Sequence, residues 1–280
     1  MITYSATLDV ADELALYLSG LLTDERRRRG TAIGRRALST FHQAVMGLRW
    51  FRDRTAIPAL ARDNNISRAT GYRYIDEVID VLANKAPDLH QALLTAKNDG
   101  ARYVILDGTL LPCDRLGEKT TSVTGTEIDR WYSGKHRQHG GTIQALTTPE
   151  GFPIWVSPVE PGSVHDITAA ENHALGALYW AASQLDLPTL ADGGYHGTGA
   201  GVHTIIKRSK AAHVLGSPLN TDHRTHNPLQ RSLRALGERG FALLTQRWRT
   251  LQRITASPRK TGHIAQAALV LTHHEHGRIH

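Results

Sequence analysis

Cysteine is nearly absent: Cys113 is the only one in 280 residues. A single thiol excludes an internal disulfide and any cysteine-rich zinc site, and it fits a reducing compartment. Long apolar runs are missing as well. None approaches the roughly 20 residues needed to cross a bilayer. The opening MITYSATLDVADEL is mixed rather than basic and then apolar, so the expected location is the cytosol, away from membranes. Negative charge is the third shortage. Between Asp222 and Glu275 the only acid is Glu238, in LQRSLRALGERGFALLTQRWRT, a segment with five arginines (Arg231, Arg234, Arg239, Arg247, Arg249).

Across the chain 33 Lys and Arg face 26 Asp and Glu, a formal charge of +7, and 16 His would add to it where phosphates raise their pKa. By composition alone a polyanionic partner and an ordinary basic surface are equally open, and clustering of the charge decides between them. With 40% hydrophobic residues the chain can bury at least one full core, and its length suits a small domain attached to a larger one.

Ser5 to Leu21 has leucines near helical spacing, and the ERRRRGTAIGRR that follows reads as a solvated face or loop, with direct phosphate contact as the alternative. Ala37 to Phe51 is a second amphipathic helix. In IPALARDNNISRATGYRYIDEVIDVLANK, Pro58 opens a short helix, Asn64 and Asn65 make a polar turn, and Ser67 caps another helix reaching about Ala83. This is a helix-turn-helix pattern over about 57–83. Ile75, Val78, Ile79 and Leu82 supply its buried face, while Arg68, Thr70, Tyr72 and Arg73 occupy the part that would meet base edges and phosphates. A plain helical hairpin with a polar turn fits the same residues.

Composition shifts after Asn84–Arg102, which places a domain seam near residue 98. YVILDGT, GGTIQALTT and PIWVSPVEP then read as three short strands of a meander, followed by a helix from Val164 to Leu185, a strand in LPTLADGGY and a further strand candidate in HTIIKR. HVLGSPLNTDHRTHNP reads as loop, the arginine-rich segment as one long helix, and GHIAQAALVLTHHEH as a last helix with a frayed polar tail.

Asp107 and Asp192 each follow a short apolar run and precede a glycine, which puts both at strand ends, where α/β sheets build sites. Two close carboxylates repel unless they share a proton or a cation, and oxygen ligands without cysteine favour Mg²⁺ or Mn²⁺. Glu238 is the candidate third acid. Each has an ordinary alternative: strand-end aspartates form turns, and a glutamate among arginines pairs with a neighbour three or four residues away.

The ordered set LDGT, YSGKHRQHGGTIQALTTPEGFPIWVSPVEPGSVHD, LADGGYHG and GERGFALLTQRWR resembles the DDE transposases of the insertion-sequence-five group and their DDE superfamily endonuclease domain. The likeness covers most of the chain. It implies an N-terminal all-α DNA-binding domain (1–98) with a helix-turn-helix, and an α/β RNase H-like domain (99–280), a mixed sheet flanked by helices. It implies Asp107, Asp192 and Glu238 as a catalytic triad holding two divalent ions, Mg²⁺ or Mn²⁺. The implied activity is cleavage and strand transfer on double-stranded DNA, at transposon terminal inverted repeats and at target DNA. It also implies a homodimer or larger assembly and a place at the bacterial nucleoid. The rival readings are a transposase-derived DNA-binding protein without transposition and a nuclease of the same fold that cuts without joining.

Other residues are open to two readings. Ser163 and Asp166 suit a capping box, while the family's His-Asp here makes His165 and Asp166 possible accessories to the site. Lys135, His136, Arg137 and His139 form a basic turn that suits phosphate contact or, equally simply, a solvated hairpin. Tyr195 lies in the D-x-G-Y turn and is a possible contact for a DNA end. Trp131 and Trp155 suit packing better than base stacking. Glu118, Glu127 and Asp129 are acids that could be mistaken for the site's own. Arg231, Arg234, Arg247 and Arg249 are expected along the DNA backbone, with Arg239 serving either the site or the phosphates.

Overall fold

The computed structural model describes residues 7–122, 124–206 and 221–279, and these form two compact units, Met1–Ala86 with Leu244–His280, and Pro87–Leu243. This split differs from a seam near residue 98 in two ways. The helix α5 (Leu89–Asn98) belongs to the second unit, because Leu89, Ala92, Leu93 and Ala96 pack into its core. The last helix joins the first unit for an equally simple reason: from Ile264 to Leu271 nearly every side chain is apolar and fully buried, so it must sit at the centre of a bundle.

The first unit contains α1 (Asp12–Arg28), α2 (Thr40–Asp53), α3 (Ile57–Asp63), α4 (Arg68–Ala83) and that last helix, α10 (Thr261–Glu275). α1 runs on to Arg28, where Asp24 and Glu25 pair with Arg27, Arg28 and Arg29 one turn later, so the arginine stretch begins as an exposed helical face and continues beyond Arg29 without helix. Between α3 and α4 the chain turns at Asn65, whose φ of 50° is one asparagine tolerates, and Ser67 caps α4 by accepting from the Thr70 amide. Gly71 lets the helices close, since a Cβ there would lie 3.1 Å from Ala61 Cβ. Ile75, Val78, Ile79 and Leu82 are buried. Trp248 donates to Thr272 Oγ1 at 2.9 Å, and Thr250 to the Trp50 carbonyl at 2.6 Å, which ties residues beyond Leu244 to the early helices.

The second unit is a mixed sheet flanked by helices, an arrangement compatible with an RNase H-like fold. Its strands are β1 (Val104–Pro112), β4 (Tyr132–Ser133), β5 (Gln138–Thr147), β6 (Pro153–Val156), β7 (Glu160–Pro161), β8 (Thr189–Ala191) and β9 (Val202–His203). β2 (Lys119–Thr121) and β3 (Glu127–Asp129) form a separate ribbon in which Asp129 pairs with Lys119 at 2.6 Å, and Glu118 accepts from the Trp131 indole at 2.8 Å. These acids are therefore engaged outside the sheet. β1 lies antiparallel to β5 and parallel to β8, which is parallel to β9, while β4, β6 and β7 pair along the outer edge of β5. β1, β5 and β6 make the expected meander. Leu106, Leu146, Leu178 and Ala191 bury one face under α5, α6 (Asp166–His173) and α7 (Leu175–Gln184). The expected single helix over 164–185 breaks at Ala174, whose φ of −129° is not helical.

On the other face lie α8 (Thr221–Ala235) and α9 (Glu238–Arg247). They replace the single long helix expected there. The chain breaks at Gly237 because that residue presses on β1: a Cβ would lie 2.6 Å from Ile105 Cγ2. Gly240 presses likewise on Thr147, the cross-strand partner of Ile105. Residues 221–228, expected as loop, open α8, while 207–220 of the two preceding segments lie outside the described residues. Among the described residues, no helix is long and apolar enough to cross a membrane.

Glu77 holds the first unit's polar interior. Its side chain is 3% exposed, pairs with Arg36 at 2.9 Å and Arg29 at 3.5 Å, and accepts from buried Gln43 at 2.8 Å. Glu77→Ala leaves these donors facing an empty buried site, and is expected to lower stability by about 2–4 kcal/mol, read as a reduced urea midpoint. An unchanged midpoint would contradict this account of the bundle.

Candidate active site

The parallel register of β1 and β8 pairs Leu106 with Ala191 and ends there. The next residue on each strand is an aspartate, so Asp107 and Asp192 lie side by side where the strands part. Asp107 is not at the end of its strand: β1 continues beside β5 to Pro112, and only its pairing with β8 stops. Side chains alternate along a strand, which puts Asp107 on the face of Ile105, against which Gly237 packs. Glu238 is the next residue and the first of α9, where the helix dipole favours an acid. The fold thus brings the three acids to one place.

Asp107 is partly buried, and its carboxyl is pushed up to about 6. Burial is the largest cause; Arg234 acts against it, and Asp192 and Glu238 add to it. Asp192 is fixed differently, its Oδ1 accepting from the Gly194 amide at 2.6 Å at the start of a 3₁₀ turn, Gly193–Tyr195. Glu238 is the loosest, with a side chain 66% exposed and its oxygen 3.6 Å from Arg234, one turn earlier. The ordinary ion pair therefore exists, yet its cation also acts on Asp107, so Arg234 faces the acids.

On the other side of β1, Gly108 stands opposite Gln144 of β5. A Cβ on Gly108 would lie 2.7 Å from Tyr195 Oη, 2.9 Å from Asp166 Oδ1 and 2.9 Å from Gln144 Nε2, so only glycine fits. Asp166 reaches this place as the first residue of α6, while His165 takes the cap position without a side-chain hydrogen bond. The capping box of Ser163 and Asp166 does not form, because the helix begins at Asp166 and its cap position falls on His165; the Asp166 carboxylate is bound by Lys135 Nζ at 2.6 Å. That bond holds the Lys135 ammonium above its usual range, and Asp192 and Asp107 add to the same field. Tyr195 is 1% exposed and donates to Gln144 Oε1, so it packs inward and is not presented to a DNA end; burial is the main cause holding its hydroxyl far above the phenol range. Trp131 and Trp155 are buried too.

The expected phosphate contacts fall into groups. Lys135, His136 and Arg137 are exposed in the β4–β5 turn, and Arg231 and Arg239 are exposed on α8 and α9. In the first unit Arg249 is exposed, but Arg247 is committed to Glu275 at 2.5 Å and Asp9 at 3.0 Å. It is therefore no free phosphate ligand. On α4, Arg68 lies over the exposed Tyr72 ring at 5.6 Å, and exposed Arg73 donates to Thr70 Oγ1 at 3.1 Å. Sequence reasoning gives Gln144 no role; the available signal is one amide among the apolar residues of β5.

The acids supply only oxygen donors, a donor set that fits a hard divalent cation. As they stand, no group of three His, Cys, Asp or Glu among the described residues is arranged to hold a metal ion.

The sequence matches the DDE superfamily endonuclease family over residues 106–273, and the chain belongs to that family. No curated protein sequence matches it. A solved structure titled "Mos1 transposase paired-end complex with left transposon end" is similar over 86% of this chain and 88% of that one, at 12% identity and a TM-score of 0.23.

Folded Asp107 keeps its proton to higher pH than an unfolded carboxyl titrating near 4, so its ionisation opposes folding. This penalty is absent below about pH 4, grows between about 4 and 6, and is complete above. In metal-free buffer Asp107→Asn should therefore be more stable than the parent by about 1–3 kcal/mol near neutral pH, and no more stable near pH 4. Urea midpoints at the two pH values check this; a variant weaker at neutral pH contradicts it.

Proposed function

We propose that this chain is a DDE transposase of the insertion-sequence-five group, which binds transposon ends and catalyses strand cleavage and strand transfer. The adjacent placement of Asp107 and Asp192 beside Glu238, in a chain of the endonuclease family, carries this reading. Asp107, Asp192 and Glu238 would hold two divalent ions, Mg²⁺ or Mn²⁺. When bound, these would supply positive charge to polarise water and the scissile phosphate and to stabilise the leaving oxygen.

The chain's own residues do the placing. Asp192 is anchored by the Gly194 amide and Asp107 is fixed by the sheet, while Glu238, exposed and paired with Arg234, closes on the site. Lys135, Arg137, Arg231, Arg234 and Arg239 offer cations to the phosphates around the cut, and His136 stands in the same turn as Lys135. In the cleavage step a water oxygen bonds to phosphorus, the 3′ oxygen leaves and takes a proton, and the freed 3′-OH then attacks target DNA in the same way. Asp166, with Lys135, is an accessory to this site.

The α3–α4 pair serves as a helix-turn-helix in the N-terminal part, with Arg68, Thr70, Tyr72 and Arg73 toward DNA. Arg249 adds a phosphate contact. Joining needs two ends held together, so the active species is a homodimer or larger, working at the nucleoid.

The test uses a supercoiled plasmid carrying the DNA that flanks the coding sequence on both sides, with Mg²⁺. Wild type should release fragments with 3′-OH ends and join them to target DNA. Asp107→Ala, Asp192→Ala and Glu238→Ala should each lower cleavage by about a thousandfold or more while leaving gel-shift binding intact. Cleavage without joining would make it a nuclease, and binding without cleavage a DNA-binding protein only.

A further inference from the structure

Gln144 is fully buried, yet its amide nitrogen has no hydrogen-bond partner. Its oxygen is taken by the Tyr195 hydroxyl, which fixes the direction in which the amide faces. Nε2 is left beside Gly108, and Asp166 Oδ1 stands beside the same glycine, each 2.9 Å from where a Cβ would be. A donor and a charged acceptor therefore flank one bare Cα. At present the other oxygen of Asp166 is held by Lys135, whose side chain is 62% exposed. A buried donor without an acceptor is costly and calls for an explanation.

We infer that Gln144 is a positioning residue whose amide is a second berth for the Asp166 carboxylate, kept facing it by Tyr195 and taken when a phosphate draws Lys135 away. Naming the phosphate as trigger rests on the proposed function; the berth is a property of the protein alone. The exchange replaces a bond to a cation with one to a neutral amide. Asp166 thus keeps its place near Asp107 while its negative charge is no longer neutralised, and Lys135 is free to hold DNA. Gly108 is the element that permits it, since any side chain would fill the space between donor and acceptor.

Side-chain amide NMR on protein carrying ¹⁵N-glutamine tests the berth without catalysis. The Gln144 resonance is identified by its loss in Gln144→Leu. In Lys135→Met, an exposed substitution that leaves the core untouched, this resonance should shift downfield as a charge-assisted bond forms. The shift should vanish in Lys135→Met/Asp166→Asn and in Lys135→Met/Tyr195→Phe. An unmoved resonance in Lys135→Met overturns the berth, and a shift that survives Tyr195→Phe overturns the part given to Tyr195.

Adding a short DNA duplex to wild type should reproduce the shift; if Lys135→Met shifts and the duplex does not, the phosphate trigger fails while the berth stands. In the cleavage assay, Gln144→Leu should lower kcat about tenfold or more with KM unchanged, and should cost nothing further in an Asp166→Asn background. Losses that multiply would mean Gln144 acts independently of Asp166, which overturns the inference.

Discussion

The register between β1 and β8 is the constraint from which the site follows. Parallel pairing ends at Leu106 and Ala191, and the next residue on each strand is an aspartate. Backbone hydrogen bonds on two sides fix β1, since it also pairs with β5 through Pro112. A slip of one residue would send Asp107 to the opposite face and Gly108 to this one. Gly237 and Gly240 then let a helix start press onto Ile105 and Thr147, which delivers Glu238 to the same place.

Such an arrangement concentrates negative charge, and the protein manages it by unequal means. Asp107 gives way by holding its proton longer, Asp192 by accepting a backbone amide, Glu238 by staying in solvent near Arg234, and Asp166 by binding Lys135. Two of these four devices use basic side chains that a phosphate could draw away. The isolation of Glu238 in a basic segment thereby acquires a physical reason: Arg234 faces the carboxylates, whereas Arg231 and Arg239 stay exposed.

Local geometry was legible in the sequence, and packing was not. The D-G and D-x-G-Y contexts marked Asp107 and Asp192 as strand-associated, and the polar turn at Asn64–Asn65 with Ser67 as cap was readable from residue types. The break at Gly237 was hidden because its cause, Ile105, lies far away in sequence. The same holds for Asp166, whose local pattern suits a cap while its partner, Lys135, comes from another element. Arg247 looked available only because Glu275 and Asp9 are distant along the chain. The last helix gave no local sign that it belongs with the first; its all-round burial was the clue.

In the function we propose, Asp107, Asp192 and Glu238 act together on a divalent cation. Mn²⁺ titration of DNA-free protein, followed by electron paramagnetic resonance, addresses it without any assumption about the DNA sequence. Saturable Mn²⁺ binding is expected, lost in Asp107→Asn and in Asp192→Asn, weakened in Glu238→Gln, and competed by Mg²⁺. Binding of equal affinity in wild type and all three variants would contradict it.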